Sequence, residues 1–201
     1  MLTRLPISCA FAFMVTLALP LRAETAPDEL IRQMSTEVIN TVKSDKAIQS
    51  GDIGRILTLV DTKVLPNVNF NRMTESAVGR NWKAASPEQQ KRLQDEFKTL
   101  LVRSYSGALT LVKDQTVQVK RMRGKVEDGD VEVQTEIVGA GEPIRLDYRL
   151  EKSGTGWKIY NVNVAGVWLV EQYRGVFNQK IAAVGVDGLI TWLAERNGGK
   201  S

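Results

Sequence analysis

The apolar positions of this 201-residue chain change period twice. From residue 27 to about 111 they recur every three or four residues, the spacing of a helix face. From 115 to 165 they alternate, and beyond 166 the helical spacing returns. Leu30, Met34, Val38 and Val42 form one stripe, with Ile31 at its edge, on a helix opened by Pro27 and the first-turn acids Asp28 and Glu29. A second helix is predicted over 52–64, with Ile53, Ile56, Leu57, Val60 and Val64 inward and Pro66 ending it. A third covers 70–79, with Phe70, Met73 and Ala77 on its stripe and Gly79 at its end. The clearest helix start is "SPEQQKRLQDEF". Ser86 is the N-cap, Pro87 takes the first helical position, and Gln89 stands where a capping box needs it. Leu93, Phe97, Leu100, Leu101, Tyr105 and Leu109 carry that helix to about 111.

The middle of the chain reads as four strands, 115–126, 130–138, 143–152 and 157–165. They are joined by turns at Asp128–Gly129, in "GAGEP" and in "SGTG". Short turns between successive strands predict an antiparallel meander. Ile144, Leu146, Tyr148 and Leu150 share one face of the third strand, and Arg145, Asp147, Arg149 and Glu151 the other. Val131, Val133 and Ile137 likewise face inward on the second. The fourth strand breaks the rule, because Trp157 and Ile159 have one parity and Val162 and Val164 the other. A bulge near Tyr160–Asn161 resolves the conflict; so does a strand covered on both faces, the far one by a terminal helix. The first strand shifts similarly between Val117/Val119 and Met122/Val126. Bulges bend sheets, so the pattern predicts an α+β fold with a strongly curved sheet and a concave apolar face. Helices are predicted over roughly 166–183 and 187–196, parted at Gly185. Val167, Val170, Tyr173, Phe177 and Ile181 form the stripe of the first.

Composition narrows the chemistry. Residues 1–23 read as a cleaved secretory signal, with Arg4, the short apolar run "ISCAFAFMVTLAL" and a cleavage site after Ala23. Residues 24–201 are one domain by size. Cys9 lies inside the apolar run and leaves with it, so the mature chain has neither thiol nor disulfide. Losing Arg4 and Arg22 lowers the formal charge from +4 to +2, which is no nucleic-acid footprint. Histidine is absent altogether. Without His and Cys, the Ser-His and Cys-His mechanisms and nearly all zinc sites are excluded. Tyr148, Tyr160 and Asp147 are the candidates for acid/base work in an apolar pocket. Asp147, however, alternates to the polar face as a surface carboxylate. Lys91, Arg92, Lys98 and Arg103 are interleaved with acids, which reads as a solvated helix face. Periodicity alone does not separate an apolar pocket from an apolar core.

Residues 64–109, "VLPNVNFNRMTESAVGRNWKAASPEQQKRLQDEFKTLLVRSYSGAL", closely resemble the MlaC family, also called the toluene-tolerance auxiliary family. So do residues 156–193, "GWKIYNVNVAGVWLVEQYRGVFNQKIAAVGVDGLITWL". Leu65–Pro66, "SPEQQ", "GWKIY", the "AGV" turn at 165–167 and "GVDGL" occur in the family's order. The resemblance implies an NTF2-like cone, with a four-stranded meander packed against N- and C-terminal helices around an apolar cavity. It implies a non-catalytic periplasmic phospholipid shuttle with no cofactor beyond its lipid cargo. The implied partners are an inner-membrane MCE-domain protein of an ABC transporter and an outer-membrane lipoprotein–porin complex. The implied role is upkeep of outer-membrane lipid asymmetry. An adaptor with a filled core, and an NTF2-like pocket enzyme, are the alternatives. The residues expected to line the cavity are Val60, Val64, Phe70, Met73, Trp82, Phe97, Leu101, Tyr105, Val133, Ile137, Leu146, Tyr148, Ile159, Val164, Val167, Trp168, Tyr173 and Phe177. The chain departs from the family pattern at Asn161, Ala165 and Trp168. This weakens a charge-based partner contact at that turn and makes Trp168 a candidate for the pocket mouth.

Overall fold

The computed structural model describes residues 25–154 and 156–198. The predicted signal, 1–23, lies outside the described residues. Six helices and a five-stranded sheet follow in the order α1 (Pro27–Ser44), α2 (Lys46–Gln49), α3 (Ile53–Leu59), α4 (Phe70–Val78), α5 (Pro87–Thr110), β1 (Thr116–Arg123), β2 (Asp130–Val138), β3 (Ile144–Ser153), β4 (Gly156–Val164), β5 (Val167–Trp168) and α6 (Leu169–Asn197). The starts of α2, α3, α4 and α5 fall where side chains can accept orphan backbone N–H groups. Asp45 accepts from Ala47 and Ile48, Asp52 from Arg55 and Asn69 from Arg72. At α5 the capping box is complete, with Gln89 N–H donating to Ser86 Oγ and Ser86 N–H to Gln89 Oε1. Pro66 does not end the second helix where predicted. The backbone passes from α3 through a π-helical turn, Val60–Val64, and a 3₁₀ turn, Leu65–Asn67. Pro66 sits at the start of that last turn, where its missing N–H is not needed.

The sheet is an antiparallel meander in the order β1-β2-β3-β4-β5. Five strands stand where four are predicted, because β5 has two residues, too few to show an alternation. It pairs Trp168 with Asn163 and Val167 with Val164, which delays the start of α6 to Leu169. Both register shifts anticipated from parity are present. Leu150 pairs with Ile159 and Arg149 with Asn161, so Tyr160 is the extra residue of β4. Val119 pairs with Thr135 and Arg121 with Gln134, which makes Lys120 the extra residue of β1. The first strand ends at Arg123, short of 126, because Val126–Asp128 forms a 3₁₀ turn before Gly129 at φ 71°.

The bulges put Trp157, Ile159, Val162 and Val164 on one face of β4. The far face is covered too: Asn161 and Asn163 are buried there. Apolar packing divides into three clusters. One joins α4, α5 and α6 through Met73, Trp82, Phe97, Phe177 and Leu193. A second joins α1 to the sheet through Ile31, Val133, Leu150, Trp157 and Ile159. A third joins α1, α2, α3 and α5 through Val42, Ile48, Ile56 and Val102.

Two glycines should respond oppositely to an added methyl group. Gly185 interrupts α6 at φ 71°, ψ −178°, where an L residue is strained, although the space around it is open. Gly185→Ala should cost about 1–3 kcal/mol. Gly107 lies inside α5 with nothing within 4 Å of an added Cβ. Gly107→Ala should stabilise by about 0.5–1 kcal/mol. Urea unfolding monitored by circular dichroism would check both signs.

Candidate functional site

The helices and the sheet do not close on one another evenly. Helix α1 packs on β1 and β2, and α4 and α6 pack on β4. The long helix α5 packs on α6, α4, α3 and α2, with only slight approach to the strands. Where α5, α6 and the sheet meet, several apolar side chains are only half-buried at the cluster margins: Phe70, Leu101, Tyr105 and Tyr173 from the helices, and Leu146, Val162 and Val164 from the strands. A filled core buries such residues fully and in one contiguous cluster. Here Val162 touches the margins of two clusters without being buried in either.

Burial falls in the same direction on both walls. Along α5, Phe97 is wholly buried and Leu101 and Tyr105 are half-buried, while Leu111 just past the helix end is 69 % exposed. Along the last strands, Ile159 is buried, Val162 and Val164 are half-buried, and Val167 is 47 % exposed. On β3, Leu150 and Tyr148 are buried, Leu146 is half-buried and Ile144 is exposed. Burial therefore deepens toward the Phe97, Phe177 and Ile159 end and falls toward the end where β3 begins and β4 finishes. The deep end is aromatic. The Phe97 ring lies 5.0 Å from Tyr173, 5.1 Å from Phe177 and 5.8 Å from Phe70.

Of the residues expected to line a cavity, Met73, Trp82, Phe97, Val133, Tyr148, Ile159 and Phe177 are packed into the clusters. Val60, Val64, Phe70, Leu101, Tyr105, Leu146, Val164 and Tyr173 are half-buried at the cluster margins. Ile137 is half-buried near the open end, and Val167 is exposed there. Trp168 points the other way. It pairs with Asn163, on the outer face of the sheet, and the Arg149 guanidinium lies 3.9 Å over its ring. Trp168 is thus an outer-face side chain and not part of the mouth. The physical reason is the two-residue strand β5, which gives Val167 and Trp168 opposite parity.

The outer face also corrects the expectation for Asp147. It is opposite Tyr148 as predicted, but it is fully buried and not a surface carboxylate. Arg145 holds it, with Nε at 2.8 Å and Nη2 at 2.6 Å from Oδ2. Neighbouring Asn161 receives Val162 N–H and Val170 N–H on Oδ1 and donates from Nδ2 to Glu171 at 2.7 Å. Arg149 donates to the same carboxylate at 2.8 Å. Asn163 receives Gly166 N–H at 2.8 Å, closing the turn in which Ala165 adopts φ 50°. These bonds fasten the first turn of α6 to the sheet. At the bulge, the Arg72 guanidinium lies 3.6 Å over the Tyr160 ring and pairs with Glu151, and Tyr160 donates to Asp130 at 2.9 Å. Partial burial and the Asp130 carboxylate push the Tyr160 hydroxyl up to about 12. That is a structural tie and not an acid/base pair poised near neutrality.

A family model described as "MlaC protein" matches residues 32–195. The chain belongs to the MlaC protein family. A relative from Haemophilus influenzae, the intermembrane phospholipid transport system binding protein MlaC, is 27 % identical over 181 residues, covering 86 % of this chain and 83 % of the relative. The toluene tolerance protein ttg2D of Pseudomonas putida is 26 % identical over 168 residues, covering 82 % and 77 %. Among solved structures, the phospholipid-binding protein from Ralstonia solanacearum in complex with a phospholipid is similar at a TM-score of 0.83 and 41 % identity. The match covers 89 % of this chain and 99 % of that one.

In this MlaC-family chain, Val162 and Val119 join the half-buried inner face although neither is among the expected lining residues. Their signal was plain alternation, which assigns Val162 to the face of Val164 and Val119 to that of Val117. Core and wall should answer mutation differently. Phe97→Ala removes a wholly buried ring and should cost about 3–5 kcal/mol. Leu101→Ala, one helical turn on, should fall below the roughly 2–5 kcal/mol of a packed leucine, because Leu101 is only half-buried. Denaturant midpoints of the two variants give the comparison. The α6 anchor should be pH-sensitive. Burial pushes the Glu171 carboxyl up, but bonds from Asn161, from its own backbone N–H and from Arg149 outweigh this and hold it below the usual range. A depressed carboxyl contributes stability above its unfolded pKa and loses it as pH falls through the folded value. Stability measured from pH 7 downward should therefore decline less steeply near pH 4 and below for Glu171→Gln than for the unaltered protein.

Proposed function

We propose that the protein is a periplasmic phospholipid carrier that holds acyl chains between α5 and the sheet and moves lipid between the two membranes of the envelope. The observation that carries this reading is the ring of inward-facing, half-buried apolar side chains shared by both walls. The phospholipid-binding relatives from Haemophilus influenzae and Ralstonia solanacearum support the same ligand class. Among the described residues no helix is long and apolar enough to cross a membrane, which suits a carrier that travels. In this reading the fold is an NTF2-like cone. Its donor and acceptor are an inner-membrane MCE-domain transporter and an outer-membrane lipoprotein–porin complex, and its work maintains lipid asymmetry. The carrier needs no catalytic group.

The energetics favour a deep and unselective site. Burying an acyl chain is worth about 0.8 kcal/mol per methylene relative to water. A diacyl lipid with about 30 such groups gains roughly 24 kcal/mol, beyond the roughly 18–21 kcal/mol at which non-covalent affinity saturates. The bilayer already supplies that gain, so a carrier needs only to match it with a dry hydrocarbon wall. The headgroup stays at the open end, and selectivity among headgroups should be weak.

Protein purified without detergent should yield near-stoichiometric diacyl lipid when extracted with organic solvent and measured by mass spectrometry. A lipid-free preparation that also takes nothing from phospholipid vesicles would show a filled core and sink the reading. Val164→Glu puts a carboxylate into the apolar wall, where it has no partner, and should leave a folded protein that no longer takes up lipid. Uptake surviving in that folded variant would move the binding site elsewhere.

A further inference from the structure

The four tyrosines of the chain fall into two pairs. The two on the sheet have polar neighbours: Tyr160 donates to Asp130, and the Tyr148 hydroxyl lies beside Ser35 and Thr135. The two on the helices do not. Among the described residues, neither the Tyr105 nor the Tyr173 hydroxyl has a hydrogen-bond partner. Both rings are half-buried in the margin of the helical cluster, in the wall that faces Val162 and Val164. They are neighbours, since burial first and Tyr173 second push the Tyr105 hydroxyl above its usual range. A tyrosine that packs its ring in an apolar wall ordinarily finds a partner for its O–H.

We propose that Tyr105 and Tyr173 form a polar collar in the cavity and donate hydrogen bonds to the two ester carbonyl oxygens of a bound diacyl lipid. The inference rests on the carrier reading and adds to it a site for the lipid's linkage region. Depth supports it. Tyr105 lies two turns along α5 from wholly buried Phe97, about 12 Å toward the open end. Tyr173 lies one turn from Phe177, in the opposite direction along α6, with its ring still 5.0 Å from Phe97. The nearest buried rings on the deep side of the two tyrosines are Phe97 and Phe177, a lining that suits acyl tails. The first hydroxyls appear where the tails end. Chemistry narrows the acceptor. Tyrosine hydroxyls are uncharged donors. The wall beyond them continues apolar through Val164 to Val167, with no cation among these inward-facing residues to meet an ionised phosphate. An ester carbonyl needs only a neutral donor, and a diacyl lipid presents two.

The test is Tyr105→Phe with Tyr173→Phe, which removes both hydroxyls and leaves both rings in place. Delipidated protein would be offered vesicles of diacyl phosphatidylglycerol and of its dialkyl ether analogue with equal chain length, in competition, with loading read by native mass spectrometry. The unaltered protein should prefer the ester lipid by roughly tenfold, as expected for two modest hydrogen bonds. The double variant should load both lipids equally at an unchanged thermal midpoint. An unaltered protein that loads both equally, or a variant that keeps the full preference, would overturn the inference while leaving the carrier reading standing. An unaltered protein that loads neither lipid would remove the carrier reading and this inference with it.

Discussion

The interior of this protein depends on one extra residue in β4. Because side chains alternate along a strand, a regular β4 would send Val162 and Val164 to the face opposite Trp157 and Ile159. Tyr160 absorbs the mismatch as a bulge, and all four apolar side chains then face the helices. The same shift turns Asn161 and Asn163 outward, where they receive the backbone N–H groups of Val170 and Gly166. One residue thus sets the inner wall and the starting point of α6. It is held by Arg72, stacked on its ring, and by Asp130, which accepts its hydroxyl proton.

A curved sheet by itself does not make a cavity; the helices must also decline to fill it. Here the apolar side chains are distributed over three clusters that each close on a different pair of layers. Helix α1 seals one end of the sheet with Ile31 and Met34, and α4 with α6 seals the deep end through the aromatic group around Phe97. Helix α5 is then supported by other helices and needs no close packing on the strands. An acyl chain in the remaining space would bind the folded state alone and add to its stability by mass action.

Much of the fold could be read in the residues. The capped start at Ser86, the break at Gly185, the meander and both bulges followed from periods and cap chemistry, since these are local properties of backbone and side chain. What escaped was set by pairing or packing over longer range. Strand β5 has two residues and no period to detect. Lys46–Gln49 is a four-residue helix held by Asp45, too short for a stripe. Asp147 looked solvated because its alternation says which face it occupies but not whether that face is covered; Arg145 supplies its charge partner. Trp168 was a candidate for the mouth because it departs from the family pattern at that turn; only the β4–β5 register shows that it lies under Arg149. Hollow and filled interiors share the same apolar periodicity, so a cavity was suggested only by family resemblance. What the structure shows is incomplete burial of inward-facing side chains.

The central claim is that acyl chains occupy the interval between α5 and the sheet. The most direct measurement is photocrosslinking with a phospholipid carrying a diazirine in one acyl chain, followed by peptide mapping. Labels are predicted on the α5 segment containing Leu101 and Tyr105 and on the β4 segment containing Val162 and Val164. Labels confined to the polar outer face of α1, where Arg32, Thr36 and Asn40 line an open groove, or to the outer face of the sheet around Trp168, would contradict it.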